Sequence, residues 1–356
     1  MDQTLSLPSL ITNIRPLDAD AMEAARQRQD RLTKPPGSLG RLERLSIQVA
    51  GIQRHALPRI QHKVVTVMAG DHGVVRQGVS AYPQEVTVQM VLNFLHGGAA
   101  INVLSRHVGT RVVTVDMGVA ADLPAHPELL VKKIGYGTGD ISLGPAMSRE
   151  QAVASLLAGA QVVLEEMERG LDLLATGDMG IGNTTPSAAI AAVLTCLPGE
   201  ILAGRGTGVD DLGLARKMSA ITRAIEVNQP DPTDGLDVLG KVGGFEIGGL
   251  AGAILAAAAN SIPVVVDGFI STAAAMIAVS LCPQVRDYLI AAHASVELGH
   301  RRMLEWLHIE PLLEMDMRLG EGTGAVLAMP LIEAACKLLA EMATFEQAGV
   351  SEKEGE

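Results

Sequence analysis

Five short runs of Val, Ile, Leu and Ala, at residues 64–68, 112–115, 171–175, 264–266 and 289–292, recur between longer stretches of helical character. The runs are continuously apolar rather than alternating, which is the pattern of strands covered on both faces, hence of a parallel sheet wrapped by helices. The expected fold is α/β, a doubly wound, mostly parallel sheet with helices on both faces. Such sheets bind ligands in the crevice outside the carboxyl ends of their strands. Here the runs exit into Gly70-Asp71-His72, Asp116-Met117-Gly118, Thr176-Gly177-Asp178, Asp267-Gly268-Phe269 and His293-Ala294-Ser295, polar and glycine-rich exits that point to one shared crevice.

Before the first run the chain is helical in character, periodic over 18–32 and 41–53 around the turn Lys34-Pro35-Pro36-Gly37-Ser38-Leu39-Gly40, and it is helical again after Gly324. Chain ends commonly meet. Residues 1–60 and 325–356 are therefore expected to build a small helical domain beside an α/β domain spanning 61–324. The 356 residues, 48% of them hydrophobic, suffice for a large core. A net charge of −12 and 2% aromatics exclude nucleic acid as a partner, which calls for a basic surface and stacking rings. Cys196, Cys282 and Cys336 lie far apart in apolar surroundings, as core thiols of a reducing compartment do. No leader pattern and no apolar stretch of membrane-spanning length is read from the sequence, so the expectation is a cytoplasmic protein with no membrane partner. The apolar run 251–259 reads as a helix buried against a sheet or a subunit partner.

Three glycine-rich loops carry the chemistry. In Ala175-Thr176-Gly177-Asp178-Met179-Gly180-Ile181-Gly182-Asn183-Thr184-Thr185-Pro186 an apolar segment enters and an alanine-rich helical segment leaves, with Pro186 fitting the first helical turn. Glycines let the backbone approach a ligand, hydroxyl and amide side chains add donors, and the helix aims unpaired N–H groups at a phosphate. A second loop, Gly204-Arg205-Gly206-Thr207-Gly208, precedes Asp210, Asp211 and a helix bearing Arg216 and Lys217. The third, Arg318-Leu319-Gly320-Glu321-Gly322-Thr323-Gly324, sets a carboxylate between glycines ahead of a helix start, where the dipole would hold it ionised. Three such loops imply one site rich in backbone donors; the tight turn of a buried βα unit is the competing reading of any one of them.

Together with Lys34-Pro35-Pro36-Gly37-Ser38-Leu39-Gly40-Arg41-Leu42-Glu43, Ala69-Gly70-Asp71-His72-Gly73-Val74 and Asp237-Val238-Leu239-Gly240-Lys241-Val242-Gly243-Gly244, the first and third loops resemble the nicotinate-nucleotide:dimethylbenzimidazole phosphoribosyltransferase family. The motifs run in order from about Lys34 to about Cys336. The resemblance implies a Rossmann-like catalytic domain, a homodimer, no cofactor and no metal. It also implies the reaction: β-nicotinate mononucleotide and 5,6-dimethylbenzimidazole give α-ribazole 5′-phosphate and nicotinate, in assembly of the cobalamin lower ligand.

That chemistry asks for particular groups. A benzimidazole nitrogen attacks C1′ of the ribose from the face opposite nicotinate, and the new ring carries positive charge unless its N–H proton is removed. By its match to the family's base position, Glu321 is the expected base; a carboxylate that only caps nearby N–H groups is the alternative. The 5′-phosphate is expected among Gly180, Gly182, Asn183, Thr184, Gly204 and Gly206, with Lys217 supplying charge through its match to the family's phosphate-site lysine. Tyr82, Pro83, Gln89, Met90, Met179 and Leu319 are the candidate lining for the flat base. One departure stands out: many relatives carry Glu where this chain has Asp178, which keeps the charge with one methylene less reach.

Other signals are weaker. Gly235-Leu236-Asp237-Val238-Leu239-Gly240-Lys241-Val242 approaches a phosphate-binding P-loop, but Val242 stands where a hydroxyl residue would hold magnesium. Asp71, His72 and His293 lack metal-ligand spacing, and a hydrogen-bonded structural or ribose-contacting role is the preferred reading of them. Asp210 and Asp211 read as a helix start. A nicotinamide dinucleotide dehydrogenase would need a full G-x-G-x-x-G after the first strand. A different class, a non-catalytic nucleotide-binding or regulatory protein of the same fold, stays open because fold alone does not certify chemistry.

Overall fold

The computed structural model describes residues 5–206 and 208–351. Six strands, β1 (Lys63–Gly70), β2 (Arg111–Gly118), β3 (Leu129–Val131), β4 (Leu173–Met179), β5 (Val264–Val266) and β6 (Leu289–Ala291), form one sheet in the order β3-β2-β1-β4-β5-β6, and every pairing in it is parallel. A two-stranded parallel ladder, β7 (His293–Ala294) and β8 (Leu313–Glu314), continues beyond β6. The strand order reverses direction between β1 and β4, so the crevice for a ligand opens at their carboxyl ends.

All five apolar runs are strands, with one displacement. Residues 171–175 were expected as the strand, yet β4 runs on to Met179, with Thr176, Gly177, Asp178 and Met179 paired to Thr66, Val67, Met68 and Ala69. Much of what reads as loop is therefore the last half of a strand. Its polar residues are tolerated because neighbouring segments supply their partners. The short β3 and the β7–β8 ladder carry too few residues for any period to register.

One sheet face is covered by the helices Phe245–Ala259, Arg149–Met167 and Phe269–Leu281. The 251–259 run lies in the first of these, which is buried through almost its whole length. It packs against Arg149–Met167 backbone to backbone: a Cβ on Gly159 would lie 1.8 Å from the Gly249 carbonyl oxygen, and one on Gly252 would lie 1.8 Å from that of Leu156. The other face is covered by Thr323–Glu341, Ala100–Val108 and Arg41–Gln53, whose Val326, Met329, Ile101 and Val49 share a core with Val65, Val67, Leu173 and Val265.

The helix Ala19–Arg31 packs against the last turn of Thr323–Glu341. Asp18 caps the helix Ala19–Arg31 by accepting from Ala21 N at 2.9 Å, Arg28 Nε donates to the Leu339 carbonyl at 2.6 Å, and Ala25 and Ala50 pack with Leu339. The helix Thr323–Glu341 thus serves both groups: its early residues cover the sheet and its last turn meets the N-terminal helices. Two stretches of the described residues, Glu85–Val108 and Thr323–Glu341, reach membrane-spanning length with apolar average composition, though neither is uninterrupted: Gln89, Asn93 and His96 break the first and Glu333 and Lys337 the second. The first is two helices, Glu85–Leu95 and Ala100–Val108; in the second, Ala325, Val326, Met329 and Ile332 are buried in the core.

Candidate active site

The exits of β1, β4 and β5 meet the third glycine loop at the switch point. Gly180 leaves β4 so close to β1 that a Cβ there would lie 2.3 Å from the Gly70 carbonyl oxygen, so only glycine fits. Asp178 is 6% exposed; its Oδ2 accepts from Asn183 Nδ2 at 2.9 Å and its Oδ1 has no protein partner. Burial, with the nearby Asp267 carboxylate adding to it, pushes the Asp178 carboxyl up to about 8. Asn183 spends its amide on Asp178 rather than on capping, so the helix Thr184–Thr195 begins with no side-chain cap and presents its first turn to the cleft.

Glu321 is held unlike the sequence reading. Gly320, Glu321 and Gly322 are three successive left-handed residues, with φ of 82°, 62° and 87°. That geometry turns the Glu321 side chain away from the helix Thr323–Glu341 that follows it and toward another, Ala100–Val108, where Oε2 accepts from Ile101 N at 3.3 Å. Asp267 serves the following helix instead, accepting from Gly322 N at 3.2 Å and Ala325 N at 2.9 Å. The Glu321 carboxyl is pushed up by burial, which outweighs the Ile101 N–H. Asp267 is likewise pushed up, to about 7, by burial and by Glu321 against its backbone donors. The expectation that the following helix holds the carboxylate at 321 is therefore corrected: the side chain turns to the start of Ala100–Val108, and burial raises its carboxyl above the ordinary glutamate range.

The far end of the cleft is cationic. Lys217, 1% exposed, places Nζ 2.9 Å from Thr184 Oγ1 and 3.2 Å from the Gly204 carbonyl oxygen. A Cβ at Gly206 would lie 2.8 Å from that nitrogen. Burial draws the Lys217 ammonium down to about 8, opposed by Glu297. Arg318 donates to the Gly206 carbonyl oxygen at 3.0 Å and closes the same end.

Of the residues singled out from sequence, Asp178, Met179, Gly180, Asn183, Thr184, Gly206 and Leu319 line this cleft, and Gly204 and Lys217 border it. Gly182, left-handed at φ 89°, packs on Val75. Met90 is half-buried and packs into the same core as Met179. Tyr82, Pro83 and Gln89 are exposed and do not line the cleft, although Thr87, in the same segment, takes the Ile181 N–H at 3.1 Å and ties that segment to the β4 exit. Sequence reasoning gave His293 a hydrogen-bonded structural or ribose-contacting role and gave none to Ser295, Glu297 or Arg318; all four line the cleft. The strand-exit signal marked His293 and Ser295 and the third glycine loop marked Arg318, while nothing local marked Glu297.

His72 is committed to Glu246 Oε1 at 2.8 Å, and Lys241 of the P-loop lookalike pairs with Asp237 on a helix capped by Asp234. Asp210 caps the helix Asp211–Asn228 through Gly213 N at 2.8 Å.

The chain's likeness to known proteins agrees with this arrangement. A phosphoribosyltransferase family model matches residues 14–350. The chain belongs to that family. Nicotinate-nucleotide–dimethylbenzimidazole phosphoribosyltransferases of Chloroflexus aggregans and of a Roseiflexus species are each 61% identical over 347 residues, covering 98% of this chain and 98% of theirs. A crystal structure of the Thermus thermophilus phosphoribosyltransferase of the same name, 47% identical, superposes with a TM-score of 0.90 over 95% of this chain and 100% of that one.

The displaced Asp178 acidity sets a stability signature. The folded protein holds the Asp178 proton up to about pH 8 while the unfolded chain releases it in the ordinary aspartate range, so between those limits the native state binds the extra proton and stability falls as pH rises. Asp178→Asn removes that titration. In denaturant melts at about pH 5 and about pH 8, the parent is expected to lose at least ~1 kcal/mol more than the variant. Equal losses would mean that Asp178 is ionised in the fold.

Proposed function

We propose that this chain transfers the phosphoribosyl group of β-nicotinate mononucleotide to 5,6-dimethylbenzimidazole with inversion, giving α-ribazole 5′-phosphate and nicotinate, in the cleft at the β1–β4 switch point. The observation that carries the reading is an uncapped helix start and a buried lysine at one cleft, lined also by Leu319 and Gly320 of the loop whose next residue is the buried Glu321, in a chain with full-length phosphoribosyltransferase kinship. Phosphate at the Thr184–Thr195 helix start and Lys217 would leave C1′ toward Asp178 and Glu321. The attacking benzimidazole nitrogen forms the new bond as the C1′–nicotinate bond breaks, its electron pair leaving with nicotinate, and Glu321 accepts the proton from the other ring nitrogen. Asp178 and Asn183 flank the ribose. Leu319, Met179 and Met90 offer apolar surface to the flat ring.

We also assign a homodimer and a cytoplasmic location. The dimer is supported by exposed apolar side chains at the cleft rim, Val296, Leu298, Met315 and Leu319. The location is supported by three unpaired thiols. Incubating the protein with nicotinate mononucleotide and a panel of dimethylbenzimidazole, adenine and phenolic bases, with products identified by mass, tests the reaction. Release of nicotinate with a base-ribotide product supports it, and nucleotide binding without turnover would instead leave the non-catalytic reading.

A further inference from the structure

We infer that Asp267 is a positioning residue for the base, clamping the strained turn that carries Glu321. The inference rests on the assignment of Glu321 as base. Left-handed backbone at a non-glycine residue is unfavourable and persists only where the surroundings fix it. Two strands supply that fixing. On the β4 side, Glu321 N donates to the Asp178 carbonyl at 3.2 Å, and the turn lies so close to Gly177 that a Cβ there would meet the Glu321 carbonyl oxygen at 2.5 Å. On the β5 side, the two oxygens of Asp267 take Gly322 N, directly after Glu321, and Ala325 N in the first turn of the helix that follows.

Asp267 is itself fixed. It is 1% exposed, its own N–H donates to Thr176 Oγ1 at 3.3 Å, and both carboxyl oxygens are engaged by the turn, so neither is offered to a ligand. It also caps the helix Thr323–Glu341, whose N-cap is a glycine with no side chain to do so. One buried side chain thus sets where the helix starts and where the carboxylate ahead of it points. The sequence presents the glycines that permit the turn, while the group that holds it lies more than fifty positions upstream.

The test is kinetic, on the intact protein. Asp267→Asn keeps the shape but sets an N–H₂ against an N–H donor, so one clamp bond is lost. The expected result is a fall in kcat of about tenfold or more with KM for both substrates within about threefold. A role only in folding would instead weaken nucleotide binding as well. In a Glu321→Gln background the Asp267→Asn change should lower kcat by less than about threefold further, because there is no base left to misplace. Losses that multiply, or full activity of the single variant beside an inactive Glu321→Gln, would overturn the inference and leave the base assignment intact. Activity retained in Glu321→Gln overturns both. Should Asp267→Asn fail to fold, Thr176→Val removes only the hydroxyl that receives the Asp267 N–H. A kcat loss of about threefold or more, absent from the Glu321→Gln background, supports the clamp, and an unchanged kcat removes it.

Discussion

Glu321→Gln is expected to lower turnover by on the order of a hundredfold or more while leaving nicotinate mononucleotide affinity within about twofold. The substitution preserves size and can still accept the Ile101 N–H through its amide oxygen, so the helix Ala100–Val108 keeps its cap and the turn keeps its shape. What it removes is the ability to take a proton. Burial raises the Glu321 carboxyl above the ordinary glutamate range, which makes it a stronger base than an exposed carboxylate and moves the acid limb of the rate profile upward. The parent's kcat/KM should therefore fall as pH drops through that raised value, and Glu321→Gln should lose this limb. Turnover within about threefold of the parent, measured by nicotinate release, would remove Glu321 from the base role.

The cap on Ala100–Val108 and the base role are not rivals. A carboxylate needs one oxygen to accept from Ile101 N and keeps the other for a substrate proton. The capping bond orients the side chain, burial sets its basicity, and both follow from the left-handed turn. Sequence inspection framed these as alternatives because it placed the residue beside the helix that follows it in the chain, whereas the turn redirects it to a helix more than two hundred residues away.

That distance explains what was legible. Apolar runs such as 64–68 and 264–266 are read directly because a strand buried on both faces needs nothing from its context. The exits of β1, β4 and β5 follow, since parallel strands deliver their ends to one side. The end of β4 was misplaced for the opposite reason: Thr176, Gly177 and Asp178 look like loop, and become strand only because Asn183, the Glu321 turn and β1 complete their hydrogen bonds. Glu297 is a charged residue in unremarkable surroundings, and its place in the cleft is a tertiary fact. Glu297 reaches it because Gly204 has no side chain: a Cβ there would lie 1.8 Å from Glu297 Oε2.

Lys217→Met should weaken nicotinate mononucleotide binding about tenfold to a hundredfold and leave dimethylbenzimidazole affinity within about twofold. Lys217 is 1% exposed, so a lysine-to-alanine change would open a cavity as well as remove charge; Met keeps most of the stem volume. The charge matters because Lys217 is the buried cation at this end of the cleft, with the Glu297 carboxylate near it. A phosphate entering there without Lys217 meets backbone N–H groups at the Thr184–Thr195 helix start and Arg318, but no buried cation. The ammonium is drawn down to about 8, so the free protein begins to lose this charge in mildly alkaline solution. Nucleotide affinity of the parent should accordingly fall above about pH 8 more steeply than that of Lys217→Met, a difference calorimetric titrations at about pH 7 and about pH 9 resolve. Equal weakening of both ligands in the variant, or of neither, would place the phosphate away from Lys217.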